Sequence, residues 1–183
     1  MTVIGWNFDF SALPNYDVRK RIPFVYDSFI EISESDALCG IYSIAEVSMF
    51  NYIGWLVLLK NKQEPRVILN VTKDINFTDN FSRSKDGRYI FLQASFWDHV
   101  KNELNRPIVI IDILKEQFSV LKTDNLSTPY KIVEIKKDIF RATADEELKK
   151  LDKRLRRLTR RKIRLKSLQW HDISEFEAFH SFL

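Results

Sequence analysis

Cysteine, histidine and glycine are scarce in this 183-residue chain, and each scarcity excludes a class of site. The single cysteine, Cys39, cannot form a disulfide within the chain, which favours a reducing compartment. The three histidines, His99, His171 and His180, do not have the spacing of a metal motif, and one cysteine cannot build a structural zinc site. The four glycines are isolated, so no glycine-rich loop is present to hold a phosphate group. We therefore predict neither a metal nor a cofactor.

Long apolar stretches are missing as well. No run approaches the roughly 18 apolar residues that a membrane-spanning helix needs. The first residues have neither the basic start nor the uninterrupted apolar core of a signal peptide. We therefore expect a cytoplasmic protein that does not span a membrane.

A catalytic constellation is the next absence. Cys39 and His99 are the residue types of a nucleophile pair, but a small core residue and a loop histidine explain them better. Scattered acids such as Asp74, Asp79 and Asp86 are typical of turns rather than of a catalytic pair. We therefore expect that the protein is not an enzyme.

Aromatic residues and short β-type segments are abundant instead. Fourteen Phe, six Tyr and four Trp indicate a large core. Between residues 28 and 135, segments rich in Ile, Val, Phe and Tyr alternate with polar turns, which predicts antiparallel strands joined in meanders. The predicted strands are Phe29–Ser33, Leu38–Val47, Gly54–Leu59, Arg66–Val71, Arg88–Ala94, Pro107–Leu114, Phe118–Leu121 and Tyr130–Ile135.

A weak internal repeat of about 50 residues underlies these strands. The matching segments are Ser35–Tyr42 with Lys85–Leu92, Trp55–Leu59 with Ile108–Asp112, and Arg66–Leu69 with Phe118–Leu121. The stretch Ser84-Lys-Asp-Gly-Arg-Tyr-Ile-Phe-Leu92 resembles the turn and first strand of β-propeller blades, whereas the first unit has Ala37 at the glycine position. The resemblance implies a blade-like, duplicated meander with at least one unpaired edge. It does not imply a propeller's function, because two units cannot close a ring of four to eight blades.

The C-terminal region is dominated by positive charge. Between Lys149 and Lys166, eleven Lys or Arg residues face one acid, Asp152, so this segment carries a net charge of +10. The whole chain is only +4, so the other residues sum to −6. A capping box starting at Thr143 and a leucine stripe predict one amphipathic helix from Thr143 to Leu168, about 39 Å long. The stripe consists of Leu148, Leu151, Leu155, Leu158 and Leu165.

These features predict an α+β fold, mainly antiparallel β, in which a blade-like meander packs with the long C-terminal helix. Residues 1–142 would form the β-rich body. Residues 143–183 would add the basic helix and an apolar tail, docked on the body in a single domain. The tail residues Trp170, Ile173, Phe176, Phe179, Phe182 and Leu183 are expected to fold back onto the core or to join two copies of the chain.

The arginines of the basic helix are the candidate binding residues. They are Arg154, Arg157, Arg160, Arg161 and Arg164. A solvated helix face is the plain alternative. An acidic protein partner suits the Arg forks, and a nucleic-acid backbone suits the long basic face. No aromatic residue lies within the segment to stack a base, and a membrane-surface role is the weakest fit.

A second candidate contact region is Phe96, Trp97 and His99, which we place in an exposed loop of the second repeat. A satellite core cluster is an equal alternative for these residues. Taken together, the sequence favours a non-enzymatic cytoplasmic module that binds another protein, for example an inhibitor or an immunity-type protein. The alternative is a nucleic-acid-associated protein that binds phosphates through the basic helix.

Overall fold

In the computed structural model, the side chains are described for residues 82–98 and 100–176, and the strands before residue 82 are described by their backbone. The chain forms two compact units, Met1–Ile75 and Asn76–Leu183. The predicted boundary at residue 142 falls within the second unit, and the prediction of a single domain stays a prediction. No helix in the described part of the chain is long and apolar enough to cross a membrane.

The first unit contains two antiparallel sheets. A small one pairs β1 (Thr2–Val3) with β2 (Trp6–Asn7). The larger one has four strands in chain order, which is a meander. Its strands are β3 (Phe24–Glu31), β4 (Asp36–Ile44), β5 (Tyr52–Lys60) and β6 (Arg66–Val71).

The second unit is organised around β9 (Tyr89–Asp98), the longest strand of its seven-stranded sheet. This sheet runs in the order β10-β9-β11-β12-β16, and both β7 and β8 also pair with β9. The other strands are β7 (Ile75–Phe77), β8 (Ser82–Arg83), β10 (Glu103–Asn105), β11 (Ile108–Asp112), β12 (Gln117–Leu121) and β16 (His171–Asp172).

β10 and β11 pair with β9 in one continuous register, from Asp98↔Glu103 to Tyr89↔Asp112. Between the two strands, the Ala94 N–H donates to the Pro107 carbonyl at 3.1 Å. Proline has no N–H of its own, so the second strand is interrupted there without a change of register. The result is a single long hairpin, and the strand predicted to end at Ala94 continues to Asp98.

The matched segments of the internal repeat lie in corresponding strands of the two meanders. The pairs are β4 with β9, β5 with β11, and β6 with β12. In each unit these strands follow one another across the sheet. The similarity to propeller blades stays a prediction.

A second sheet of this unit consists of β13 (Lys131–Lys136), β14 (Ile139–Thr143) and β15 (Lys162–Arg164), in that order. Its strands alternate between buried and exposed side chains, as expected of a sheet with one solvated face. Phe140 and Ile163 are register partners on the buried face. The core lies between this face and the seven-stranded sheet, where the Phe91 and Phe140 ring centroids are 4.7 Å apart.

The predicted long helix is wrong. Two short helices replace it, α1 (Glu146–Leu151) and α2 (Lys153–Arg160), and the chain then returns as β15. Asp152 separates the helices with an extended backbone, φ −117° and ψ 109°. Its carboxylate accepts a hydrogen bond from the Arg154 N–H at 2.8 Å, so it caps the start of α2.

Two physical effects favour this break. It separates Lys149 from Lys153 and Lys150 from Arg154, like-charged pairs that each cost about 0.2–0.5 kcal/mol in a continuous helix. It also changes which leucines reach the core. Leu155 and Leu158 are buried, whereas Leu151, expected in the stripe, is 84% exposed.

The end of the basic segment follows a period of two rather than 3.6. Ile163 and Leu165 are buried, and the residues between and beside them are exposed. This alternation suits pairing with the edge of β14, whose partners in β15 run from Ile139↔Arg164 to Arg141↔Lys162. A 3₁₀ turn, Leu165–Ser167, follows.

The described part of the tail packs on the protein itself. The Phe118 and Phe176 ring centroids are 4.8 Å apart, and Trp170 packs against the core. Phe179, Phe182 and Leu183 lie outside the described residues, and oligomerisation through the tail stays a prediction. The observed architecture is therefore mainly antiparallel β with a few short helices, consistent with an α+β fold.

Candidate functional site: a basic cleft

The solvated face of the β13-β14-β15 sheet is basic. One row across it joins Val133, Arg141 and Lys162, and a second joins Ile139 and Arg164. All three cations are exposed. Their side chains share one face because the residues two apart in a strand point the same way. We call these residues, with Lys131, the basic sheet face.

A cleft of about 350 Å³ adjoins this face where the sheet meets the two helices. Arg141 belongs to both, so the basic surface is continuous from β14 to α2. We call this feature the basic cleft. Its lining side chains include Arg141, Thr143, Glu146, Lys149, Lys150, Arg156, Thr159 and Arg160.

α1 supplies two lysines that already have acidic partners. Asp145 caps the helix, with its carboxylate 2.8 Å from the Glu147 N–H. One turn into the helix, Lys149 pairs with Glu146 at 2.6 Å and Lys150 pairs with Glu147 at 2.5 Å. Exposed pairs of this kind are worth little, so either lysine can exchange its partner for a bound anion.

α2 supplies the arginines that have no acidic partner. Within residues 82–98 and 100–176, Arg156 and Arg160 form no ion pair, and Arg141 on β14 forms none either. Thr159 donates its hydroxyl to the Arg156 carbonyl at 3.1 Å, which fixes this side chain at the cleft wall. Three guanidinium groups therefore line one cleft with their donors unused by carboxylates of the described chain.

The five predicted arginines do not share one face. Arg160 lies in the basic cleft and Arg164 on the basic sheet face. Arg154 pairs with Asp152 at 3.1 Å, and its hydrogen bond holds the pKa of the Asp152 carboxyl below the usual range. The remaining two also point elsewhere.

Arg157 approaches Asp124 at 3.8 Å, and Arg161 donates to the Lys122 carbonyl at 3.4 Å.

Sequence reasoning missed Arg141 and Arg156. Arg141 was detectable in principle, because it stands between the apolar residues Phe140 and Ala142 in a strand-type pattern. The position of Arg156 in the cleft could not be predicted without the helix break, because the break sets the direction of α2.

The predicted contact loop lies partly in β9. Phe96 pairs with Asn105 and is buried, whereas Trp97 pairs with Leu104 and is 43% exposed. His99 lies outside the described residues. Trp97 is therefore available at the surface from the end of a strand rather than from a loop.

No family model, curated protein or solved structure matches this chain. Among the described residues, no group of three or more His, Cys, Asp or Glu side chains could hold a metal ion. With three guanidinium groups that form no ion pair among the described residues, the basic cleft is chemically suited to anions.

Proposed function

We propose that this protein is a non-enzymatic, cytoplasmic protein-binding module that engages an acidic partner protein through the basic cleft and the basic sheet face. One observation carries the proposal. Arg141, Arg156 and Arg160 line a single cleft, and none of them forms an ion pair within the described part of the chain. An inhibitor or immunity-type role is one form that such binding takes.

The mixed character of the surface supports a protein partner. Val133 lies beside Arg141 in the sheet register and is 37% exposed, and Leu151 projects from the end of α1. Glu146 lies in the cleft lining among the cations. Apolar anchors and both signs of charge are typical of protein interfaces, where arginine is enriched and its fork binds carboxylates in two-point contacts.

The test is capture of partners on the full-length protein from nuclease-treated native lysate. The variant R141E/R156E/R160E reverses the three unpaired charges. Because each charge-assisted contact contributes about 1.5–3 kcal/mol, we expect the affinity for a captured protein to fall about 100-fold or more.

The matched control is K85E/K101E/K122E, which changes the net charge equally at exposed lysines outside the cleft. The control should keep the partner. Equal loss from both variants would show a general charge effect and contradict the proposed site. Failure to capture any protein in repeated experiments would count against the proposed function.

Nucleic-acid binding is the alternative, and the eleven cations between residues 149 and 166 favour it. It predicts that the affinity for RNA or DNA falls steeply as the salt concentration rises. In a plot of log affinity against log salt concentration, each phosphate contact contributes about 0.7–0.9 to the negative slope. Fluorescence anisotropy with labelled oligonucleotides measures that slope. If R141E/R156E/R160E leaves both affinity and slope unchanged, this alternative fails.

A further inference from the structure

A second cavity, of about 480 Å³, lies away from the basic cleft in the same unit and shares no lining residue with it. Three turns of the chain meet at this cavity. They contribute Lys115 after β11, Lys137 between β13 and β14, and Lys166 in the 3₁₀ turn. Tyr89 and Trp170 supply its aromatic wall. We call it the aromatic pocket.

The aromatic wall is held in place by specific contacts. The Tyr89 and Trp170 ring centroids are 6.2 Å apart, with the planes tilted by 38°. The Trp170 Nε1–H donates to the Leu165 carbonyl at 3.2 Å, so the indole is anchored at one edge. Trp170 is half-buried and lines the cavity, which leaves part of its ring surface for a ligand.

The pocket has one internal ion pair. Arg88 holds both oxygens of Asp112, with Nε to Oδ1 at 3.1 Å and Nη2 to Oδ2 at 2.7 Å. Asp112 also accepts from the N–H groups of Leu114 and Lys115, which fixes the turn after β11. The side-chain hydrogen bonds with Asp112 raise the pKa of Arg88, and the pair contributes no net charge to the pocket.

The remaining charges are unbalanced. Lys115, Lys137 and Lys166 form no ion pair within the described residues, and Asp138 is the other acid in the lining. Three positive charges against one negative leave about +2 for a ligand to neutralise. The lysines come from separate turns, so their convergence at one cavity is a product of the fold.

Tyr89 adds an unused hydrogen-bond donor. The residue is 8% exposed, and its hydroxyl forms no hydrogen bond with the described part of the chain. Burial raises its pKa, with a contribution from the Asp112 charge, so the phenol keeps its proton at neutral pH. Because Tyr89 lines the cavity, a water molecule or a ligand there can complete its hydrogen bond.

We propose that the aromatic pocket binds a nucleoside monophosphate. The phosphate, with a charge close to −2 at neutral pH, lies among the three lysines, and the base stacks on Trp170. The volume of the pocket falls in the range of small-ligand sites, about 300–1,000 Å³. This pocket shares no lining residue with the basic cleft, and its chemistry does not depend on the proposed protein partner.

The test is calorimetric titration of the full-length protein with the four common ribonucleoside monophosphates. Matched titrations use the corresponding nucleosides, ribose 5-phosphate and inorganic phosphate. We expect at least one nucleotide to bind about ten-fold or more tightly than ribose 5-phosphate, because a stacked base is worth about that factor. Equal affinity for inorganic phosphate and the nucleotides would overturn the proposal, and so would the absence of binding by all of them.

Two variants locate the binding. Lys137→Glu should weaken nucleotide binding about ten-fold or more, because it reverses a phosphate contact on an exposed turn. Lys153→Glu lies outside both cavities and should change nothing. Equal effects from the two variants would contradict the assigned site.

Trp170 also packs on the core, so its ring is tested with two substitutions. Trp170→Phe keeps an aromatic face and should bind more tightly than Trp170→Leu, with thermal unfolding reported for both. R141E/R156E/R160E should bind the nucleotide as the wild type does. A wild-type protein that captures a partner but binds no nucleotide would contradict only the nucleotide proposal, and one that binds nucleotide but captures no protein would contradict only the proposed function.

Discussion

Small carboxylates organise the turns around both cavities. Asp112 holds Arg88 and the turn after β11, and Asp152 caps α2. Asp86 accepts from the Ser84 hydroxyl at 2.5 Å and from the Arg88 N–H at 3.1 Å. Each carboxylate accepts a hydrogen bond from a backbone N–H group in place of a backbone carbonyl, which is the ordinary role of Asp in turns. These residues therefore stabilise turns and a helix start, and Asp112 also lines the aromatic pocket.

Asp112→Ala should destabilise the protein strongly. Asp112 is 2% exposed, and its removal leaves the Arg88 guanidinium and two backbone N–H groups without an acceptor. Loss of one partner of a buried pair costs about 3–5 kcal/mol, and the partial exposure of Arg88 places the expected loss at about 3 kcal/mol. Urea unfolding measures it. Asp112→Asn keeps an acceptor for the N–H groups of the turn, so it should lower the free energy of unfolding by less. Equal losses in the two variants would show that the stabilisation comes from the charge of Asp112 alone.

The turn before β9 should make stability depend on pH. The Ser84 hydrogen bond lowers the pKa of Asp86 from its usual 3.8. A lowered folded-state pKa means that the stabilisation is present above the unfolded pKa and is lost as the pH falls through the folded value. Asp86→Asn should remove this part of the acid destabilisation, measured as thermal unfolding at several pH values below about 5. Identical acid profiles for variant and wild type would contradict the assignment.

At the scale of elements, the meanders were predictable and the helix was not. Turn residues such as Ser84-Lys-Asp-Gly87 mark where the strands begin and end. The alternation of apolar and polar residues predicts the strands between these turns. The leucine spacing from Leu148 to Leu158 is equally regular, and nothing in that spacing indicates that the helix is interrupted at Asp152. The break depends on a side-chain cap and on a free edge of β14 that only the folded protein provides.

Two leucines of the predicted stripe distinguish the two short helices from one continuous helix. Leu155 is fully buried, so Leu155→Ala should lower the free energy of unfolding by about 2–5 kcal/mol. Leu151 is 84% exposed, so Leu151→Ala should change it by less than about 0.5 kcal/mol. Chemical denaturation of both variants gives the comparison. Similar large losses would mean that one continuous stripe is buried after all.

The candidate site shows the same limit. The sequence predicts the basic segment as the binding region, and of its five arginines Arg160 lies in the basic cleft and Arg164 on the basic sheet face. The strand pattern marks Arg141 as exposed, but it could not place this residue beside the basic segment, which it joins from β14. Convergence of residues that are distant along the chain requires the sheet register, and one sequence does not supply it.

At the scale of the molecule, the second unit carries two candidate sites with different chemistry. The basic cleft is lined by arginines and lysines without an aromatic ring, whereas the second cavity combines lysines with Tyr89 and Trp170. Because they share no lining residue, changes at the two sites should act independently. We expect R141E/R156E/R160E combined with Lys137→Glu to show the sum of the separate effects on partner and nucleotide affinity. A combined loss that departs from the sum would reveal coupling.

β15 forms an edge of its sheet, since no further strand pairs with it among the described residues. Exposed edges are templates for another chain, and natural proteins often protect them with lysine or arginine. Lys162 and Arg164 stand on this strand. The charges of the proposed binding surface therefore also protect this edge against pairing with another copy of the protein. Neutralising them would expose the edge to self-association, so solubility alone would favour part of the basic surface.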